Sequence, residues 1–291
     1  MRFITPSVPF AERRIILMNK RLTPPRAAAI LFMALLSVIA LFPFYSMMVM
    51  GTYYINDLFT GIKIVPGNYM MQNMKTLFTV PILTYYRNSI LAAAGSCVLC
   101  VIISAMCGYA ISKYEFRLKK VLYGFVLLTL MIPTQLGLIA FMIEMRSLHL
   151  LGSLWPIILP NGASAFGVFW MTSFIGDAIP NEVIESARID GCNEYAIFFR
   201  IALPFLRPAV MTLALLSFLW SWNALLVPLV VLNKEALFTL PLGIKGLSTG
   251  FRNDYGAQIL GLSVGTIPIL VFFSFFSKNL ISGLSAVAVK G

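Results

Sequence analysis

Charge is scarce in this chain: among 291 residues there are 22 Lys and Arg, 11 Asp and Glu, and one histidine. With 59% hydrophobic residues and a mean hydropathy of +0.87, it has more apolar surface than one soluble domain of this size could bury, so lipid must cover the surplus. Chemistry-bearing motifs are missing too. There is no HExxH, no Asp inside an apolar run, and GASAF at 162–166 lacks the second Gly of a G-x-S-x-G elbow, which leaves an intramembrane enzyme little to work with. No G-x-x-x-x-G-K-[ST] loop is present, so the chain cannot cradle ATP by that device. An ion-coupled secondary transporter would lack the ionisable relay that such machines place within their spans.

What is abundant is uncharged sequence. The runs 27–56, 88–112, 121–143, 147–176, 208–233 and 255–277 contain no charged residue, and each exceeds the roughly 20 residues that cross a bilayer core. They predict an all-helical integral membrane protein with six transmembrane helices. The first run follows basic residues, as a signal peptide would. It is too long for such a segment and no small-x-small cleavage site follows, so it is expected to stay as the first span. With the N-terminus inside, 15 Lys and Arg fall on the cytoplasmic side and 7 outside. That satisfies the positive-inside rule with both termini cytoplasmic. The net charge of +11 records this topology and gives no reason to expect nucleic acid.

The organisation that follows is a basic cytoplasmic arm (1–26), a first span (27–50), a periplasmic loop (51–87) with turn signals at Pro66, Gly67 and Asn68, a core (88–281) and a cytoplasmic tail (282–291). Cys97, Cys100 and Cys107 share the second run with Gly95, Ser104 and Gly108. Small residues of this kind let helices approach closely, and packing is preferred over metal or redox use. The short basic loop KYEFRLKK (113–120) is expected to close a cytoplasmic hairpin of the second and third helices.

The most informative stretch is 177–207, with five acids and three bases beside Val183, Ile184, Ile189, Ile197, Phe198, Phe199 and Ile201. This mixture suits short amphipathic helices outside the membrane. Asn181 is placed to cap the first, Gly191 to end it in the left-handed conformation, and Asn193 to cap the second, before Pro204 and Pro208 lead into the fifth span. Helices this short need a surface to dock on, which a membrane or a partner protein could supply.

ESARIDGCNEYAIFFRIALP (185–204) resembles the cytoplasmic loop signature of binding-protein-dependent ABC import permeases. Glu185, Ala187, Gly191, Ile201, Leu203 and Pro204 stand at the signature spacings, and Ser186 replaces the usual second Ala. YRNSI (86–90), GYAISKYEF (108–116), MIPTQ (131–135), FLWSWN (218–223), TLPLGI (239–244) and GLSAVAVKG (283–291) extend the resemblance over about 84–291. Together they are similar to the second permease of the maltose-type and multiple-sugar importers. The chain departs from that pattern at Ala224, where an acid is frequent, and at Val287 or Ala288, where Gly is frequent.

The resemblance implies the type I importer permease fold. It also implies that residues 182–200 form coupling helices in a groove of a separate ATPase, with Glu185 as a polar or ionic anchor and Gly191 as the hinge. Val289, Lys290 and Gly291 of the tail would reach between two ATPase subunits. No cofactor is expected on this chain, ATP and Mg belonging to the ATPase. The implied partners are a second permease subunit, an ATP-binding cassette ATPase dimer, a periplasmic solute-binding protein and a saccharide, within membrane lipid.

For the cargo, Trp220, Trp222 and Asn223 offer aromatic faces beside an amide, which suits sugar rings. Trp220 and Trp222 are two apart and cannot face the same side of a helix, so at most one lines a pathway. Gln135 after Pro133 and Asn161 after Pro160 mark kinks or polar points toward a cavity. The uncharged spans favour a neutral saccharide, while Lys63, Lys75, Lys234, Lys245 and Arg252 outside would steer an acidic one such as a uronate polymer.

Overall fold

The computed structural model describes residues 24–249 and 252–275, and both the basic arm before residue 24 and the tail Val289–Gly291 lie outside them. In chain order the helices are α1 (Pro24–Met50), α2 (Met70–Leu77), α3 (Ile82–Lys113), α4 (Lys119–Leu130), α5 (Leu138–Ser147), α6 (Trp155–Ile158), α7 (Ala165–Ala178), α8 (Asn181–Ile189), α9 (Glu194–Phe205), α10 (Arg207–Trp222), α11 (Leu226–Val231), α12 (Leu240–Lys245) and α13 (Tyr255–Phe275). The one strand pairing among the described residues joins Ser248–Thr249 to Arg252–Asn253.

Helix α3 is the mast of the molecule. Its buried stripe is built largely from small residues, including Ala92, Ala93, Ser96, Cys100, Ser104, Ala105 and Gly108, and α7 and α10 pack along it. The α3–α7 crossing is tight enough that a Cβ on Gly108 would sit 2.7 Å from Met171 Cβ and 2.8 Å from the Thr172 amide nitrogen. On the other face Cys97 Sγ lies 3.4 Å from the Ala214 carbonyl of α10. The cysteines are free, and no metal-holding cluster occurs among the described residues.

Among the described residues, four helical segments are long and apolar enough to cross a membrane: Ala27–Met50, Ile82–Lys113, Trp155–Ala178 and Tyr255–Phe275. The count reaches six when each of two bent pairs is taken as one span. The third run bends by 90° between α4 and Thr134–Ser147, at Pro133, which has no N–H to continue a helical ladder. The fourth starts at Trp155 rather than 147, after a turn in which His149 (φ 56°) and Gly152 (φ 83°) are left-handed.

The fifth run, expected as one span over 208–233, is interrupted: α10 ends at Trp222 and α11 follows separately. The break places Pro228 in the first turn of α11, where a missing N–H leaves no gap in the ladder. The 113–120 loop likewise closes no α3–α4 hairpin, because α4 turns away and packs beside α7.

Residues 51–87 are more structured than a simple loop. They hold α2 and the first turns of α3, and Asn73 Nδ2 of α2 donates to the Gly51 and Tyr53 carbonyls at 2.9 Å each. At the same end of the molecule, Asn88 Nδ2 donates to the carbonyls of Ala236 and Phe238, and Ser89 Oγ accepts from the Leu240 amide. The YRNSI and TLPLGI segments therefore grip one another. Among the described residues, helix α1 meets the rest of the chain near its C-terminal end, where Gly51 lies against Leu260. Its apolar side chains from Ile30 through Phe42 are exposed.

Candidate functional site: the elbow and the cavity beside Trp220

The elbow is built from α8 and α9 joined by a glycine turn. Gly191 has φ 80°, and the amides of Gly191 and Cys192 donate to the carbonyls of Arg188 and Ala187, both at 3.0 Å. These two bonds are a Schellman ending, which needs a left-handed residue and so favours glycine. Asn193 caps α9, its Oδ1 accepting from the Ala196 amide at 2.8 Å. Asn181 does not cap α8. It is the first helical residue, its predecessor Pro180 supplies no side-chain bond, and its Oδ1 instead accepts from Lys113 Nζ at 2.9 Å.

Helix α9 carries a π turn over Ile197–Ala202 just ahead of Pro204, and the chain then bends by 81° into α10. A wider turn is one way to admit a proline that cannot donate to the preceding coil.

The two faces of the elbow differ. Ile184, Ala187, Ile197 and Phe198 are buried against α3 and α7 residues such as Tyr109, Met171 and Ile175. The other face leaves Ile189 86% and Tyr195 74% exposed, with Glu185, Ser186, Gly191 and Cys192 open to solvent beside them. Ser186 Oγ only returns to the Val183 carbonyl, and no described residue grips the Glu185 carboxylate. Among the other signature residues, Ile201 and Leu203 are half-buried and Pro204 is exposed. Their spacing is thus divided between a face that holds the elbow on the core and a face that no described residue covers.

One group of residues here is silent in the pattern of apolar positions. Arg188 Nε donates to Glu194 Oε1 at 2.7 Å, and the Tyr114 hydroxyl donates to the other oxygen of that carboxylate. The Arg188 bond, then the Tyr114 bond, hold the Glu194 carboxyl below its ordinary range, while burial and the adjacent carboxylate push the Tyr114 phenol up. The only advance signal was the resemblance of GYAISKYEF, which carries Tyr114 but says nothing of its partner.

The cargo candidates separate. Gln135, Trp220 and Asn223 line one cavity of about 580 Å³ with Thr134 and Leu226. Trp220, 49% exposed, also borders a neighbouring cavity of about 580 Å³ whose wall includes Asn161, Ser164, Phe166 and Ser221. No charged side chain lines either space. Trp222 faces away: it is 2% exposed, stacks on Phe218 and donates its indole N–H to the Gly265 carbonyl at 3.1 Å. It packs α10 on α13 and does not belong with the cavity residues. Behind the second cavity, Ser96 Oγ accepts from Asn161 Nδ2 at 3.1 Å and meets Ser221 Oγ at 3.2 Å. Ser96 was not singled out by sequence, because a serine in an apolar run has no distinguishing periodicity.

The elbow and the helices on either side of it lie within the segment that a family comparison matches. Residues 101–285 fit the family of the binding-protein-dependent transport system inner membrane component. The chain belongs to that family. It is a multi-pass membrane permease component and not an enzyme.

The permease is 34% identical over 279 residues to the arabinooligosaccharides transport system permease protein AraQ of Halalkalibacterium halodurans, covering 94% of this chain and 100% of that one. To the protein of the same name from Bacillus subtilis it is 32% identical over 271 residues, covering 91% and 96%. Its fold is also that of a chain in the crystal structure of a bacterial ABC transporter involved in the import of the acidic polysaccharide alginate. There the TM-score is 0.71 at 21% identity, over 94% of this chain and 99% of that one.

Proposed function

We propose that this permease is one of two membrane subunits of an ATP-driven importer in the bacterial inner membrane and that its cargo is a saccharide. It crosses the membrane six times with both termini cytoplasmic, receives the saccharide from a periplasmic solute-binding protein, and takes its energy from a separate ATPase dimer that carries the ATP and Mg. The observation that carries this reading is the elbow. Its inner face is buried on the core, while Glu185, Ile189 and Tyr195 are exposed with no described residue covering them. Apolar side chains so exposed outside the spans call for a partner surface. The Schellman turn at Gly191 sets the angle at which the two helices enter it.

Closure of the ATPase dimer would move the elbow as a rigid piece and rock the attached spans between inward- and outward-facing states. The sugar assignment rests on the arabinooligosaccharide relatives and on the uncharged cavities beside Trp220, which suit a neutral oligosaccharide with apolar ring faces and many hydroxyls. The tail Val289–Gly291 would add a second contact to the ATPase.

The test is the reconstituted complex in vesicles: loaded binding protein should stimulate ATP hydrolysis, and saccharide should accumulate only with ATP. Uptake driven by an ion gradient without ATP would refute the importer. Cross-links from positions 185–200 that reach only lipid or water would remove the docking role.

A further inference from the structure

Three side chains from three elements close a triangle beneath the elbow. Arg188 comes from the last turn of α8, Glu194 opens α9, and Tyr114 directly follows α3. Each touches the other two: Arg188 bonds one oxygen of Glu194, Tyr114 bonds the second, and the Arg188 guanidinium lies 5.5 Å from the centroid of the Tyr114 ring. The preceding residue adds a second hold. Lys113 Nζ donates to the Ile179 carbonyl at 2.5 Å and to Asn181 Oδ1 at 2.9 Å, where the chain passes from α7 into α8. Tyr114 also sets its ring edge against Tyr109, which in turn packs on Phe198 of α9. Two successive residues at the end of α3 thus hold both the start and the corner of the elbow.

Covalently the elbow is attached only to α7 and α10. We propose that it drives α3 as well, through Tyr114, Glu194 and Arg188 acting as a transmission joint. This rests on the coupling role proposed above and goes beyond it, because docking on an ATPase requires only the outer face. The joint has somewhere to deliver motion: α3 packs against both α7 and α10 and carries Ser96, which joins Asn161 and Ser221 behind the cavity. It is also directional, since one carboxylate ties both elbow helices to the same phenol. A change in the α8–α9 angle cannot occur without moving or breaking that bond. The three are positioning residues and touch no cargo.

The experiment uses the whole complex of permease pair, ATPase and binding protein in vesicles, reading ATP hydrolysed and saccharide accumulated together. Tyr114→Phe and Glu194→Gln should co-purify with the ATPase as the unmodified chain does and keep hydrolysis within about twofold. Saccharide moved per ATP should fall about three- to tenfold, the scale of a charge-assisted bond reduced by partial exposure. In a Cys192→Ser background, a short bis-maleimide joining Tyr114→Cys to Glu194→Cys should restore the ratio. Absence of ATP-driven uptake by the unmodified complex overturns the importer and the joint together. Normal uptake by that complex with an unchanged saccharide-to-ATP ratio in both variants overturns the joint alone. Loss of ATPase binding in both variants also overturns it, because the triangle would then only maintain the shape of the docking surface.

Discussion

Gly191 offers a sharp test because its surroundings isolate one physical effect. A Cβ built there meets nothing within 4 Å, so a side chain encounters no clash. What remains is the backbone: φ is 80°, and an L-residue held in the left-handed region costs roughly 1–2 kcal/mol. Gly191→Ala should therefore weaken the Schellman ending by about that amount. Local opening of the elbow would rise about tenfold for each 1.4 kcal/mol. Gly191→Asn should lose less, because Asn visits the left-handed region more readily, and Gly191→Val more, because its β-branch tolerates it least. The assay is hydrogen exchange at the Gly191 and Cys192 amides, both bonded to α8 carbonyls, in parallel with ATP-driven uptake. Exchange should quicken and uptake should decline in the order Gly, Asn, Ala, Val, with Val abolishing uptake while membrane insertion stays intact. Wild-type exchange in the Ala variant, full transport by the Val variant, or Asn as damaging as Val would each refute the backbone argument.

The two tryptophans should part company. Trp222→Ala removes a buried, hydrogen-bonded ring and should cost about 3–5 kcal/mol, seen as a lower Tm or poor recovery in detergent. Trp220→Ala should leave Tm within a degree or two, by about the usual scale of surface changes, and lower saccharide uptake instead. Gly108→Ala places a methyl against the α7 backbone and should cost about 1–3 kcal/mol by overpacking, again read as Tm. The Glu194 carboxyl is held below its usual 4.5, so the stability it contributes is fully present above that pH and is lost as pH falls through the lowered native value. The Tm difference between wild type and Glu194→Gln should be constant at neutral pH and vanish in acid.

Much of the elbow was legible because its signals are local. Gly191 and Asn193 act on hydrogen bonds a few residues away, and both adopt the geometry expected from their positions. Asn181 failed because its amide oxygen had a stronger distant partner, the Lys113 ammonium, which sequence separation hides. The breaks in the apolar runs follow the same division. Pro133 marked a bend that is found, whereas the interruption of 208–233 at Asn223 depends on where Pro228 must sit in the next helix. Of the cargo candidates, spacing established only that Trp220 and Trp222 diverge. Which of them faces a cavity was settled by the packing of α10 against α13 and α3.

Composition and uncharged runs were enough by themselves to determine a multi-pass helical membrane protein, because the cost of burying charge in hydrocarbon acts on every residue separately. The signature spacing identified the elbow because helix ends are specified within a few residues. Only the tertiary structure decided that α3 is the mast, that its final residues clasp the elbow, and that Ser96, Asn161 and Ser221 meet. Those contacts join residues 65 to 125 positions apart for the serines and asparagine, and 66 to 80 apart at the clasp. Their geometry is set by how small residues let helices close on one another, a property of pairs of surfaces that no single stretch of chain contains.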